Sequence, residues 1–207
     1  MTSCMKLFSS LLLFGWLGAA QAASTILVFG DSLSAAYGMP RESGWVALLA
    51  QRLRSEAPAY RVVNASVSGE TSAGGLTRLP ALLDAHEPGL VVLALGANDG
   101  LRGLSLAQTA RNLESMVALA EKHGGKVLLV GMRLPPNYGA SYTGKFQALF
   151  SDVAKKRKVR LIPFLLDGIE TRAENFQSDG LHPTAQAQPV LLNTVWRELG
   201  PMLGRTR

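Results

Sequence analysis

The chain has 207 residues, a formal net charge of +6 at neutral pH and a single cysteine, Cys4. One cysteine excludes an internal disulfide and a cysteine-based metal site, so stability must come from an apolar core, for which this length is ample. No aromatic residues interleave with the basic run at 155–158, which is typical of a solvated helix end, so nucleic-acid binding is not expected.

The first 22 residues have the pattern of a secretory signal peptide. Lys6 supplies a small positive region, an apolar stretch follows at 7–17, and alanines at 20 and 22 form a small-x-small cleavage site. The apolar stretch is too short to span a bilayer, and an uncleaved anchor is the alternative. We therefore predict a signal peptide over 1–22 and a single domain over 23–207, periplasmic or secreted, with no stable membrane insertion after cleavage.

The remaining sequence alternates short apolar runs with segments of helical spacing. The runs predict strands at 26–29, 60–64, 90–95, 127–130 and 160–163. Apolar residues at helical spacing predict helices whose first marker residues are Trp45, Leu76, Leu106, Tyr142 and Val190. This alternation predicts an α/β, three-layer, flavodoxin-like fold with a five-stranded parallel sheet, for which the common strand order is 2-1-3-4-5.

In that order, the loops after the first three strands lie side by side at the carboxyl edge of the sheet, where ligands bind in such folds. These loops contain Ser32, Gly69 and Asn98. Asp31 and Ser32 come where a helix is predicted to begin, beside backbone N–H groups that favour negative charge on a hydroxyl. Taken alone, this pair is more often a plain helix N-cap, so the convergence of the three loops is the argument for function.

A serine nucleophile needs a base and hydrogen-bond donors for the oxyanion that forms. His86 and His123 fall at predicted helix C-termini, where a histidine suits the helix dipole without any further role. His182 instead lies in a turn three residues after Asp179, so the carboxylate could hold one ring nitrogen and leave the other for Ser32. The alternative is an N-cap or Asx-turn aspartate followed by an ordinary loop histidine.

The other motifs favour an oxyanion hole and disfavour a bound cofactor. The backbone N–H groups of Ser32 and Gly69 and the Asn98 side chain could donate to an oxyanion, although turn chemistry also explains each residue singly. The glycine-rich stretch at 69–75 lacks the Gly-Lys-Ser/Thr of a phosphate loop, and no Gly-x-Gly-x-x-Gly follows the first strand. Histidines are scattered, so neither a metal nor another cofactor is expected.

Four blocks of the sequence together resemble the SGNH (GDSL-type) hydrolase family. They are Gly30-Asp31-Ser32-Leu33-Ser34, the stretch 64–71 around Gly69, Gly96-Ala97-Asn98-Asp99 and Asp179-Gly180-Leu181-His182-Pro183. The resemblance implies that Ser32 is the nucleophile, His182 the base and Asp179 the residue that orients it. It also implies an oxyanion hole made by Ser32, Gly69 and Asn98.

The stretches 98–103 and 133–139 resemble one branch of that family, the bacterial thioesterase I/lysophospholipase L1 branch, which is periplasmic and broadly specific. Two residues depart from this branch: Ala97 stands where glycine is frequent, and Glu70 where aspartate is frequent. Neither is one of the four residues for which the family is named. The Ala97 difference bears on substrate range rather than on the chemistry.

The expected function is therefore that of a serine esterase and thioesterase working through an acyl-enzyme. Its expected substrates are small molecules such as acyl-CoA thioesters, lysophospholipids and aryl esters, and a monomer is expected. Leu101, Leu104 and Leu134 are expected to floor an acyl groove, with a mobile glycine-containing loop after Asn98. Two alternatives stay open: a carbohydrate acetyl-esterase of the same family with a polar pocket, and a non-catalytic flavodoxin-like binding module.

Overall fold

The computed structural model describes residues 24–204, so the predicted signal peptide and the arginines at 205 and 207 lie outside the described residues. The strands of the described chain are β1 Ser24–Gly30, β2 Tyr60–Asn64, β3 Leu90–Ala94, β4 Lys126–Val130 and β5 Arg160–Ile162. They form one parallel sheet in the order β2-β1-β3-β4-β5. The predicted fold class and strand order are both confirmed.

The α-helices within residues 24–204 are α1 Trp45–Glu56, α2 Ser72–His86, α3 Ala97–Leu101, α4 Leu106–Lys122, α5 Ala140–Arg157 and α6 Gln188–Leu199. The basic run at 155–158 forms the largely exposed end of α5, as predicted. Its Lys156 pairs with Glu114 of α4 at 2.7 Å. None of the described helices is long and apolar enough to cross a membrane.

Helices bury the sheet on both faces. The apolar residues of α1 and α6 cover one face, and those of α2, α4 and α5 cover the other. Successive residues of β1 point to opposite sides, so Ile26 and Val28 pack in the first cluster while Leu27 and Phe29 pack in the second. Strand β3 is buried along its whole length, which explains why its sequence is a continuous apolar run.

The strand register brings three loop segments together at the carboxyl edge of the sheet. Gly30 at the end of β1 pairs with Ala94 at the end of β3, so the two strands finish level. The loop after β2 folds back onto β1, because the Val67 N–H donates to the Gly30 carbonyl at 3.0 Å and the Gly30 N–H donates to Ser66 Oγ at 3.1 Å. The loops after β1, β2 and β3 are therefore neighbours, as the strand order predicted.

The segment after β1 is not the start of a helix. Residues 32–38 form consecutive turns, and α1 begins only at Trp45. Asp31 initiates the first turn itself, because its Oδ1 accepts the Leu33 N–H at 3.1 Å. The interpretation of Asp31 and Ser32 as an N-cap is therefore wrong, and so is the helix dipole expected beside Ser32.

Two further boundaries differ from the predictions. The glycine-rich turn predicted after β3 is the short helix α3, with Asn98 as its second residue. Position 100 of this helix has no room for a side chain, because the Phe146 ring packs against Gly100. A Cβ at this position would lie 2.5 Å from that ring. Helix α2 begins at Ser72, four residues before its predicted first marker Leu76, because Thr71 Oγ1 caps it.

Candidate active site

Ser32, His182 and Asp179 meet at the carboxyl edge of the sheet. His182 Nε2 lies 2.9 Å from Ser32 Oγ, although the two residues are 150 positions apart in the sequence. His182 Nδ1 lies 2.6 Å from Asp179 Oδ2. The imidazole therefore links a hydroxyl to a carboxylate through its two different nitrogens, which is the arrangement needed to take a proton from serine.

Asp179 holds both the backbone and the ring of His182. Its Oδ1 accepts the backbone N–H groups of Leu181 at 2.9 Å and His182 at 3.0 Å, which is the Asx-turn geometry considered as the alternative. Its Oδ2 is left to accept from the imidazole, so the turn and the ring contact coexist. The His182 N–H, followed by the Leu181 N–H, lowers the pKa of Asp179 to about 2, and the carboxylate stays ionised at neutral pH.

The other two histidines occupy helix ends, as predicted. His86 is the last residue of α2, and His123 is the C-cap of α4. His123 is engaged locally: its Nδ1 lies 2.9 Å from the Leu119 carbonyl and its Nε2 lies 3.1 Å from Asp84 Oδ1. Of the described histidines, His182 is therefore the one that contacts a serine hydroxyl.

Asn98 faces the same site and is held by Asp31. The Asn98 amide nitrogen donates to Asp31 Oδ2 at 3.3 Å, which uses one of its two hydrogens and orients the side chain. Asn98 and Ser32 both line the cavity described below, whereas Gly69 does not. The Gly69 carbonyl accepts a hydrogen bond from the Arg102 guanidinium at 2.9 Å. The backbone φ of Gly69 is +78°, which suits a residue without a Cβ.

Asp99 anchors the short helix that carries Asn98, a role that the sequence did not reveal. It is buried, and its two carboxylate oxygens accept the Ser72 N–H at 2.8 Å and the Ser72 hydroxyl at 2.5 Å. Thr109 of α4 adds a third hydrogen bond at 3.2 Å. These bonds tie α3 to α2 and α4, and so fix the position of Asn98 next to Ser32.

Asp31 is a buried carboxyl group directly behind the nucleophile candidate. Burial is the largest influence on it and raises the pKa of Asp31 to about 6, although the Leu33 N–H, His182 and Asn98 partly oppose this. The N-cap pattern of Asp31 and Ser32 gave no indication of this burial. Its position directly after a buried apolar strand was the available signal, because that strand carries it into the sheet edge.

Replacing Asp31 with asparagine is expected to change how stability depends on pH. Between about pH 4 and pH 6 the folded wild-type protein holds a proton on Asp31 that the unfolded chain has released, because the pKa of Asp31 is raised to about 6. Wild-type stability therefore falls as pH rises through this window, by roughly 3 kcal/mol in total. The Asp31→Asn variant lacks this loss.

Urea unfolding at pH 4, 5, 6 and 7 would measure the effect. The free energy of unfolding of Asp31→Asn should rise relative to wild type as pH increases, whatever the offset at pH 4. Asp152→Asn on the exposed surface of α5 is the matched control, and its difference from wild type should stay flat. Parallel pH curves for the two variants would show that Asp31 does not hold a proton in this range.

A cavity of about 930 Å³ opens beside Ser32. Its walls are largely apolar and include Leu101, Met132, Leu134, Pro135, Phe164, Leu166 and Phe176. Two of the three leucines predicted to floor an acyl groove thus line the cavity. The prediction for Leu104 is wrong, because Leu104 is 43% exposed and does not line it.

The fold and the Ser–His–Asp arrangement define a serine hydrolase built on a parallel α/β sheet. A serine hydroxyl, a base aligned by an ionised carboxylate and an adjacent amide donor suit attack on an acyl carbon and stabilisation of the oxyanion. Within residues 24–204, no three side chains of His, Cys, Asp or Glu cluster as a metal site.

Comparison with known proteins identifies the family. The model of the GDSL-like lipase/acylhydrolase family matches residues 28–188, and the chain belongs to this family. Esterase TesA of Pseudomonas aeruginosa is 54% identical over 182 residues, covering 88% of this chain and 90% of the relative. Thioesterase 1/protease 1/lysophospholipase L1 of Escherichia coli K12 is 41% identical over 184 residues, covering 89% and 87%.

A solved structure agrees with the sequence relatives. A crystal structure of TesA superposes with a TM-score of 0.85 at 53% identity, covering 87% of this chain and all of that chain. The resemblance to the SGNH family, stated from four sequence blocks, is therefore confirmed.

Proposed function

We propose that this protein hydrolyses acyl esters and thioesters, with Ser32 as nucleophile, His182 as general base and Asp179 as the residue that aligns the base. The observation that carries the proposal is the 2.9 Å contact between Ser32 Oγ and His182 Nε2 at the mouth of a largely apolar cavity. The names of the relatives, an esterase and a thioesterase/lysophospholipase, support the same reaction class.

The reaction proceeds through two acyl transfers. Ser32 Oγ attacks the acyl carbon as its proton moves to His182 Nε2, which gives a tetrahedral oxyanion. Collapse of this intermediate expels the alcohol or thiol, which takes the proton from His182, and leaves the acyl group on Ser32. Water then attacks the acyl-enzyme, giving its proton to His182. The carboxylic acid leaves as Ser32 Oγ takes that proton from His182, which restores both residues.

Asp179 and the oxyanion donors supply the electrostatic stabilisation. With its pKa lowered to about 2, Asp179 remains negative and keeps the His182 proton on Nδ1, which leaves Nε2 free to act as base. We assign the oxyanion hole to the Ser32 N–H, the Gly69 N–H and the second hydrogen of the Asn98 amide. Asp31 uses the first hydrogen of that amide, so the second is free to point at the developing charge.

The cavity supports substrates with an extended acyl chain. Its volume of about 930 Å³ and its apolar walls would bury several methylene groups, each worth about 0.8 kcal/mol. A carbohydrate acetyl-esterase would instead need a polar pocket for the sugar. Fatty acyl esters and thioesters, including lysophospholipids and aryl esters, are therefore the proposed substrate class.

A series of p-nitrophenyl esters from acetate to palmitate would test this substrate class. We expect kcat/KM to rise from the acetyl ester to medium acyl chains as the apolar cavity fills. Hydrolysis of octanoyl-CoA would test for thioesterase activity, and hydrolysis of a lysophospholipid would test for lysophospholipase activity. A preference for the acetyl ester would favour the carbohydrate acetyl-esterase, and no turnover of any ester would favour the binding module.

The predicted export of the protein also belongs to this proposal. Residues 1–22 act as a cleavable signal peptide, so the single catalytic domain spanning 23–207 works in the periplasm or outside the cell. We also propose that this domain is a monomer. No helix of the described chain is suited to span a membrane, which is compatible with release after cleavage. N-terminal sequencing of the protein purified from the periplasm, combined with its mass in solution, would test both statements.

A further inference from the structure

The two chain segments that carry Ser32 and His182 are joined behind the catalytic pair by one side chain, Gln177. Its Nε2 donates to the Tyr37 carbonyl at 2.8 Å and to the Pro183 carbonyl at 3.1 Å. Tyr37 belongs to the turns that follow β1, and Pro183 directly follows His182. A single amide therefore spans both segments of the active site.

The backbone of Gln177 also closes the loop that presents His182. The Gln177 N–H donates to the His182 carbonyl at 2.8 Å, and the Gly180 N–H donates to the Gln177 carbonyl at 2.9 Å. With Asp179 bound to the same backbone, the loop from 177 to 182 is closed on itself. The side chain of Gln177 then fixes this closed loop to the segment of Ser32.

The Tyr37 end of this link reaches the catalytic imidazole directly. The Tyr37 and His182 rings have centroids 4.4 Å apart and planes inclined by 37°. Tyr37 is about half-exposed, with its ring next to this imidazole. Because Gln177 fixes the Tyr37 carbonyl, it also holds the aromatic ring against the face of His182.

The amide of Gln177 can act in only one orientation. Both partners of Nε2 are carbonyl oxygens, so both hydrogens of the amide nitrogen are used and the oxygen cannot take its place. Gln177 Oε1 faces Gly38, where a Cβ would lie 2.1 Å from it. Gly38 has φ of +71° and leaves the space that the amide fills.

From these contacts we propose that Gln177 is a positioning residue that sets the alignment of His182 with Ser32, through the carbonyls of Tyr37 and Pro183 and the ring of Tyr37. The inference rests on the proposed function, because it assigns a role relative to the catalytic pair. Gln177 itself touches neither reacting atom. A misplacement of the base by about 1 Å costs on the order of 100-fold in rate, so loss of this link should lower turnover.

Gln177→Met tests the proposal, because it keeps the length of the side chain and removes both donors. We expect kcat to fall by about 10- to 100-fold on a p-nitrophenyl ester. KM should stay within about twofold, because methionine keeps the length of a side chain that lines the cavity. Gln147→Met on the exposed surface of α5 is the matched control and should retain wild-type kcat. The proton resonance of the Asp179–His182 hydrogen bond, measured by NMR, should shift or broaden in Gln177→Met alone.

Gly38→Ala displaces the amide without changing Gln177. The new Cβ would push Oε1 away, so kcat should fall as in Gln177→Met. Gly124→Ala is the control for backbone strain, because Gly124 has φ of +82° and nothing within 4 Å of the Cβ position. If Gln177→Met fails to fold, the comparison of kcat between Gly38→Ala and Gly124→Ala tests the positioning role of Gln177.

The outcomes separate this inference from the proposed function. A wild-type protein without esterase activity would refute the proposed function. An active wild type whose kcat and NMR signal are unchanged in Gln177→Met, or a Gly38→Ala variant no slower than Gly124→Ala, would overturn the positioning role alone. A larger KM with unchanged kcat would also overturn it, because that result places Gln177 in substrate binding.

Discussion

Replacing Ser32 with alanine is expected to lower kcat for ester hydrolysis by about 10⁶-fold, because Ser32 carries the one hydroxyl within residues 24–204 that contacts His182 Nε2. The fold should survive, since the hydroxyl's hydrogen bond is to His182 and the change removes a single atom. Residual turnover would then reflect the oxyanion donors and the cavity acting on a water molecule. The measurement is initial-rate hydrolysis of a p-nitrophenyl ester of medium chain length, after removal of trace wild-type enzyme.

Covalent labelling gives a second readout of the same variant. A fluorophosphonate should label the wild type with one equivalent, and the Ser32→Ala variant should not react. Ser141→Ala, on the exposed surface of α5, is the matched control and should react as the wild type does. Stoichiometric labelling of Ser32→Ala would show that the nucleophile is a different residue.

Replacing Asn98 with alanine is expected to give the second-largest effect, a loss of about 100- to 1,000-fold in kcat. The amide donates to charge that exists only in the transition state and the tetrahedral intermediate, so KM should change little. Circular dichroism and urea unfolding would establish that α3 still forms, as the Asp99 hydrogen bonds to Ser72 and Thr109 predict.

A surface asparagine controls for the chemical change itself. Asn193→Ala removes an exposed hydrogen bond to Arg52 on the far side of the helical layer and should leave kcat unchanged. A kcat for Asn98→Ala within threefold of wild type would remove Asn98 from the oxyanion hole. The Gly69 and Ser32 N–H groups would then have to stabilise the charge without it.

The buried carboxyl group of Asp31 lowers stability at neutral pH and contacts the residue proposed as an oxyanion donor. A carboxyl group with a pKa raised to about 6 is mostly ionised at pH 7. Because this charge is buried, it lowers the stability of the folded state. Under the proposed function, such a group is kept there because its contact orients the Asn98 amide towards the oxyanion. Sites that break the usual rules of burial are often functional.

The sheet and the residues that meet at its edge could be predicted from the amino-acid sequence. Strands such as β3 are buried on both faces, so their sequences are continuous apolar runs that can be recognised locally. The strand order then follows from the α/β pattern, and it placed Ser32 and Asn98 together. Elimination among three histidines made His182 the candidate base, because helix ends account for the other two.

How these residues are held depends on tertiary contacts. Turns in place of a helix after β1, the burial of Asp31, the Asp99 hydrogen bonds and the Gln177 link all depend on partners distant in the sequence. Periodicity reports which face of an element is apolar, but it carries no information about which polar group lies opposite. The residues proposed to react can therefore be predicted from the sequence, whereas their alignment is a property of the folded chain, because it is set by long-range hydrogen bonds.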